Sequence, residues 1–246
     1  MARDGFNINP ATRIYHIVKF KDGSAYLFFS GCPWNCVYCV ARTVSRWCLS
    51  ISQARASGLR FGSMIGLREM LDLLQNKKVH TAFLGGEEPT YDPQLPIIMN
   101  GLKSLNINPW LITNGELLDD EMFFLAHGIT FSIKALTPSL HKSITGKSNT
   151  RTLENFRKYA DPSKVVAETV LYPGIVECDE ALKVAEFIEG VNPELRFRID
   201  LAVQERQLGE HLKECAERAR QVHGNTYYFE PGQGAEEPEV LFPPSL

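Results

Sequence analysis

The sequence predicts an α/β fold: a partial (βα)6, TIM-like barrel of parallel strands with helices around it. Short β-prone apolar runs alternate with helical patterns along most of the chain, the arrangement that builds parallel βα units. Each polar motif directly follows the C-terminal end of such a run, and in a parallel barrel those ends gather on one face, where ligands bind. The units number about six, with one added strand before them and one after, which suits an open barrel better than a closed ring of eight.

The elements follow in order. Residues 15–20 read as the added first strand, and 25–29 as a strand ending at a cysteine loop. Residues 80–84 end at Gly85-Gly86, and 109–112 end at Thr113-Asn114-Gly115. A helix follows, with Asp119-Asp120-Glu121 as its negative first turn, Met122, Leu125 and Ala126 at helical spacing, and His127-Gly128 as its stop. Residues 128–133 form a strand ending at Lys134, and 165–171 one ending at Tyr172-Pro173-Gly174. Asp179 is the expected N-cap of a helix with Ala181, Ala185 and Ile188 on one face. Residues 195–201 lead into a polar loop, 208–222 read as a helix, and 226–229 as a last strand. The expectation is one domain over 1–246 with a core of about 14–229; the Pro- and Gly-containing stretch 230–246 reads as an extended closing tail.

Composition sets bounds on partners. The formal charge is −3 over 246 residues, without a sustained Lys/Arg run, which argues against a nucleic-acid partner. Met1-Ala2-Arg3-Asp4-Gly5 is not followed by an apolar signal core, and no apolar run is long enough to span a bilayer. The expectation is a soluble cytoplasmic protein without a membrane partner, in a compartment where thiols stay reduced.

The densest motif is Ser30-Gly31-Cys32-Pro33-Trp34-Asn35-Cys36-Val37-Tyr38-Cys39, with three and then two residues between its cysteines. Three neighbouring thiolates make a metal site. Iron–sulfur cubanes and structural zinc usually take four protein ligands, so Cys32, Cys36 and Cys39 leave one position open, where chemistry can occur. The alternative is a zinc knuckle completed by a distant histidine such as His16. Cys48, Cys178 and Cys215 stand singly; Cys48 and Cys215 read as small buried hydrophobes, and Cys178 either as another or as a group at the reactive end of the barrel. Further along, Phe83-Leu84-Gly85-Gly86-Glu87-Glu88-Pro89-Thr90 pairs glycines that permit close backbone approach with carboxylates suited to an ammonium.

The cysteine loop resembles that of the radical S-adenosylmethionine (SAM) superfamily, and the wider pattern resembles pyruvate formate-lyase activating enzyme and its relatives. The likeness runs from about Phe28 to Gly174 and is carried also by Gly85-Gly86-Glu87, Thr113-Asn114-Gly115, Ser132-Ile133-Lys134-Ala135-Leu136, Leu140-His141-Lys142-Ser143-Ile144-Thr145-Gly146 and Val170-Leu171-Tyr172-Pro173-Gly174. The resemblance implies a 4Fe-4S cluster on the three cysteines and SAM at the fourth iron. It places Tyr38 beside adenine, Gly85, Gly86 and Glu87 or Glu88 at the SAM amine, and Thr113, Asn114, Ser132, Lys134 and Glu168 around the rest of SAM. It also implies a flavodoxin or ferredoxin-type electron donor. Reductive cleavage of SAM would give a 5'-deoxyadenosyl radical that abstracts hydrogen from a substrate, either a partner protein, as for the activases, or a small molecule or RNA.

Two departures stand out. Where the family has a basic residue this chain has Glu168, and where the activases have aspartates around a monovalent cation it has Ile112 and Ser132. Isoleucine offers no oxygen to a hard cation, so no cation site of that kind is expected. Candidate substrate-facing residues are His141, Tyr172, Glu177, Cys178, Gln204 and Arg206, with Arg198 and Asp200 set to pair inside the barrel. The reading from another class is a non-catalytic iron–sulfur electron-transfer or zinc-binding protein.

Overall fold

The alternation of apolar runs and helical patterns becomes a single continuous sheet. A computed structural model of the chain describes residues 11–39, 64–230 and 238–243. Its first half contains β1 (Ile14–Lys19), β2 (Ser24–Phe29), α1 (Leu67–Asn76), β3 (Thr81–Gly86), α2 (Leu95–Ser104), β4 (Asn108–Thr113), α3 (Asp120–Leu125) and β5 (Gly128–Ser132). The second half contains α4 (Pro138–Thr145), α5 (Thr150–Lys158), β6 (Val165–Leu171), α6 (Cys178–Val191), β7 (Arg196–Leu201), α7 (Gly209–Val222), β8 (Thr226–Tyr228) and β9 (Glu239–Phe242).

The strand order is β8-β7-β6-β5-β4-β3-β2-β1-β9. From β2 to β8 every neighbouring pair is parallel, so helices fill the crossovers and all these strand ends point the same way. β1 runs antiparallel to β2, because the Phe20–Gly23 turn is far too short for a parallel crossover. That turn is closed by Phe20 N–H to Ser24 O at 2.9 Å and relies on Gly23 at φ +87°. The order has two ends, β8 and β9, so the barrel is open among the described residues.

The core lies between the sheet and its helices. Leu84, Leu111, Ile129, Phe131, Phe197 and Ile199 from the strands meet Met70, Leu74, Ile98, Leu102, Phe156 and Ala185 from the helices. Phe131 and Phe156 meet edge to face at 5.1 Å. Each such large side chain contributes about 2 kcal/mol through lost apolar exposure.

Several expectations are adjusted. Gly85 and Gly86 end β3 itself, not the loop after it. A Cβ on Gly85 would run into the Tyr26 hydroxyl, and Gly86 sits at φ +98° with its N–H donated to that hydroxyl at 3.1 Å. Helix α6 starts earlier than expected: Glu177 holds the cap position and Asp179 falls in the first turn, because the Glu177 carboxylate closes the preceding turn by accepting Gly174 N–H at 2.5 Å. Cys178 and Cys215 are not separate thiols. Helices α6 and α7 pack side by side and bring two cysteines 37 positions apart into a disulfide, with Cα atoms 5.5 Å apart. The tail carries a strand, β9, paired antiparallel with β1. Cys48 lies outside the described residues. Among the described residues no helix is long and apolar enough to cross a membrane.

Candidate functional site

The cysteine loop leaves β2 through Gly31, whose φ of +95° and crowding against the Tyr91 ring and Arg13 would strain any larger residue. Gly31 N–H donates to Glu87 Oε2 at 2.5 Å. The far half of the loop is strapped to the end of α4, with Asn35 N–H to Thr145 O and Val37 N–H to Ile144 O, both at 3.0 Å. Trp34, 2 % exposed, stands edge-on to His141 at 4.9 Å and donates its indole N–H to Glu116. Cys32, Cys36 and Cys39 remain thiols, each half-buried. Burial pushes the Cys32 thiol up to about 12, partly opposed by the Trp34 amide and reinforced by Glu88. Taking up a metal there therefore displaces a proton.

Facing the loop across a cavity of about 360 Å³ are the C-terminal ends of β3 to β7. All three cysteines line it, as do Tyr38, Gly86, Glu87, Glu88, Thr113, Asn114, Ser132, Lys134 and Glu168; Gly85 does not, since it turns toward Tyr26. The adjacent glutamates have different settings. Glu88 is 1 % exposed. Its Oε1 accepts from Thr90 N–H (3.1 Å), Thr90 Oγ1 (2.6 Å) and Thr113 Oγ1 (2.7 Å), and its Oε2 from Asn114 N–H at 2.8 Å. Burial pushes this carboxyl up, and the Asn114 amide and the two threonine hydroxyls pull against it. Glu87 is half-buried.

A chain of polar side chains crosses three strands on the opposite wall. Lys134 Nζ donates to Ser132 Oγ at 2.7 Å, Ser132 Oγ to Glu168 Oε1 at 3.2 Å, and Arg198 Nη2 to Glu168 Oε2 at 2.9 Å. Arg198 Nε also donates to Asp200 Oδ2 at 3.0 Å. Burial alone would pull Lys134 down, but Tyr38, Glu168 and the cysteines outweigh it and hold the ammonium above its usual range. Burial and then Glu168 push Asp200 up to about 6, against the pull of Arg198. The expected Arg198–Asp200 pair therefore extends to Glu168.

The other named residues fall elsewhere. Tyr38 is buried and stacks on Tyr172 at 5.2 Å, its hydroxyl without a hydrogen-bond partner among the described residues. His141 does not face the cavity: it is buried under Trp34, its Nδ1 meeting Lys147 O at 3.0 Å. Glu177 closes a turn and Cys178 is in the disulfide. The side chains of Gln204 and Arg206 lie outside the described residues. His16 is not a fourth cysteine-site ligand; its Nδ1 meets Phe242 O at 2.7 Å and its ring lies against Phe28. Sequence reading missed Tyr26 and Trp34 as wall residues. Glu116 was missed as well, because its partner Trp34 lies 82 positions away in the sequence.

The donor set suits a cluster. Three free thiols on one loop that line one cavity are of the type and number that could each hold a different iron of a polynuclear cluster.

Comparison with known proteins bears on the family and the fold. Residues 26–188 match the family model described as the radical SAM superfamily. A protein of Methanocaldococcus jannaschii, named provisionally as a glycyl-radical enzyme activating enzyme, is 30% identical over 175 residues, covering 69% of this chain. The matched part spans 63% of that relative's length. Streptococcus suis SuiB bound to the precursor peptide SuiA has a similar fold, with a TM-score of 0.58 at 15% identity over 80% of this chain and 46% of SuiB. TYW1 with a lysine-pyruvate adduct has a TM-score of 0.55 at 13% identity, over 85% of this chain and 82% of TYW1.

Proposed function

The chain belongs to the radical SAM superfamily of enzymes, and on that premise we propose that Cys32, Cys36 and Cys39 each bind one iron of a 4Fe-4S cluster, leaving the fourth iron to SAM. The observation that carries this reading is the pairing of three loop thiols with a polar cavity wall built from the ends of five consecutive parallel strands. Cluster and SAM, when bound, supply a one-electron cleavage of the sulfonium that yields methionine and a 5'-deoxyadenosyl radical for hydrogen abstraction.

The protein's part is binding, orientation and exclusion of water. Glu87 is the carboxylate that takes the SAM ammonium, because Glu88 already accepts four hydrogen bonds from its own chain. Gly86, Thr113 and Asn114 flank it. Lys134, steadied by Ser132, and Glu168, steadied by Arg198, are the charged groups that orient the rest of SAM. Tyr38, buried and backed by Tyr172, offers the face for adenine and a hydroxyl that has no hydrogen-bond partner among the described residues. Ile112 on the wall supplies no oxygen ligand, so we expect no monovalent-cation site beside it.

The electron donor in this reading is a flavodoxin- or ferredoxin-type protein, and the substrate is a glycine-bearing partner protein, supported by the name of the Methanocaldococcus jannaschii relative. A small-molecule substrate is the second reading, favoured by the Arg198–Asp200 pair on the cavity wall, a polar feature suited to a compact charged ligand. The reading treats 1–246 as one domain, supported by the tail strand β9 joining the sheet through β1.

The test is anaerobic reconstitution with iron and sulfide, reduction with SAM present, and chromatographic assay of 5'-deoxyadenosine. Product that disappears in Cys36→Ala is expected; a loaded cluster with no SAM cleavage under any reductant would put the electron-transfer reading first. A glycine-centred electron-spin signal in a candidate partner then separates the activase reading from the small-molecule one.

A further inference from the structure

Cys32 lies at the meeting point of a closed ring of hydrogen bonds. Glu88, buried at the end of β3, accepts the Asn114 N–H at 2.8 Å. Asn114 Oδ1 accepts Glu116 N–H at 2.9 Å, and Asn114 Nδ2 donates to Cys32 Sγ at 3.7 Å. Glu116 accepts the Trp34 indole N–H, and the Trp34 backbone N–H donates to the same sulfur at 3.3 Å. The path leaves Cys32 through one donor and returns through another.

The amide arm of Asn114 is not required by its turn. The bond from Glu116 N–H to Oδ1 is an Asx turn, which an aspartate would make equally well. Aspartate would, however, set a carboxylate oxygen against the cysteine sulfur where asparagine presents an N–H. Donors on a ligating sulfur draw electron density from it and favour the reduced cluster, and such partners are a recognised control of cluster potential. Trp34 and Asn114 are both buried, so both donors approach the half-buried Cys32 sulfur from the protein side, where the lower local dielectric strengthens such contacts.

We propose that Asn114 and Glu116 are positioning residues that hold two N–H donors on the Cys32 sulfur and so raise the reduction potential of the bound cluster, deciding which donors can reduce it. This rests on the reading of Cys32 as a cluster ligand.

The test is a spin-resonance-monitored redox titration of the full reconstituted chain, with iron content measured alongside. Asn114→Asp, which keeps the turn and removes the N–H, should move the midpoint to a more negative potential. Asn114→Leu should move it the same way by less, because it adds no charge. Glu116→Ala, which frees the Trp34 indole, should give a midpoint more negative than that of Glu116→Gln, which removes the same charge but keeps an oxygen acceptor. Wild-type midpoints in both Asn114 variants at full iron content would overturn the proposal. So would loss of the cluster from both with the fold intact, since Asn114 would then be a loading residue. A wild-type chain that takes up no iron would remove this proposal and the proposed function together. A loaded cluster that never cleaves SAM would sink the proposed function alone, with the potential shift still readable.

Discussion

Glu87 and Glu88 follow one another in sequence, yet their side chains do different jobs. Glu88 is enclosed and ties the turn at Thr90 to the end of β4 through Thr113 and Asn114, whereas Glu87 is half-buried and reaches the cysteine loop at Gly31. Removing Glu88 strands several donors in a dry environment, each costing roughly 1–3 kcal/mol. Glu88→Ala should therefore lower the unfolding free energy of the metal-free protein by about 3 kcal/mol, read by urea denaturation, and Glu87→Ala by less. Equal losses would mean that the two roles are misassigned. Both acids were legible as site candidates beside the glycines. Which one is structural was not, because the donors that saturate Glu88 include two residues about 25 positions away.

Helix α4 shows the same dependence at the scale of an element. Pro138 starts it, but Thr137 at the cap position makes no side-chain cap of its own. The amides that lead into the helix are satisfied from another helix: Glu180 of α6 accepts Leu136 N–H, Thr137 N–H and the Thr137 hydroxyl, all at 2.7 Å, while Lys183 pairs with it at 2.9 Å. Burial pushes the Glu180 carboxyl up, but the Thr137 amide, Lys183 and the Thr137 hydroxyl together bring it below its usual range. A carboxyl depressed in the folded state stabilises above the ordinary carboxylate range, and that contribution is lost as pH falls through its folded value. Glu180→Gln should thus cost about 1–2 kcal/mol at pH 7, with the gap to wild type closing below about pH 4, as urea melts at both pH values would report. A gap independent of pH would show that packing, not charge, supplies the effect. The consequence reaches the site, since α4 holds the cysteine loop through the Thr145 and Ile144 carbonyls.

At the scale of the molecule, the sheet is kept open at β8 and covered at its other end by β9 over β1. Leu241 of β9 is buried, and the Phe242 carbonyl meets the buried His16 ring. Deleting residues 238–246 should expose the β1 edge, lower the melting temperature and promote self-association, read by calorimetry and light scattering. An unchanged melting temperature and a monomeric truncated chain would show that β9 contributes no closure. The strand at 165–171 was legible to the residue, and the other parallel strands to within a residue or two. Continuous apolar runs bounded by glycine, proline and polar motifs carry that information locally. The tail showed prolines and glycines but no lasting strand pattern; β9 forms because β1 offers it an edge.

By itself the sequence determined the parallel α/β architecture, the three-cysteine loop and the set of polar residues at the strand ends, because period, turn chemistry and thiol spacing are local properties of the chain. Only the tertiary structure decided which neighbours meet. It turned Gly85 toward Tyr26, joined Cys178 to Cys215, saturated Glu88, extended the Arg198–Asp200 pair to Glu168 and closed the ring from Asn114 and Glu116 through Trp34 to Cys32. The physical reason is common to all of them: burial and hydrogen-bond satisfaction depend on which strands and helices pack together, and those contacts join residues dozens of positions apart.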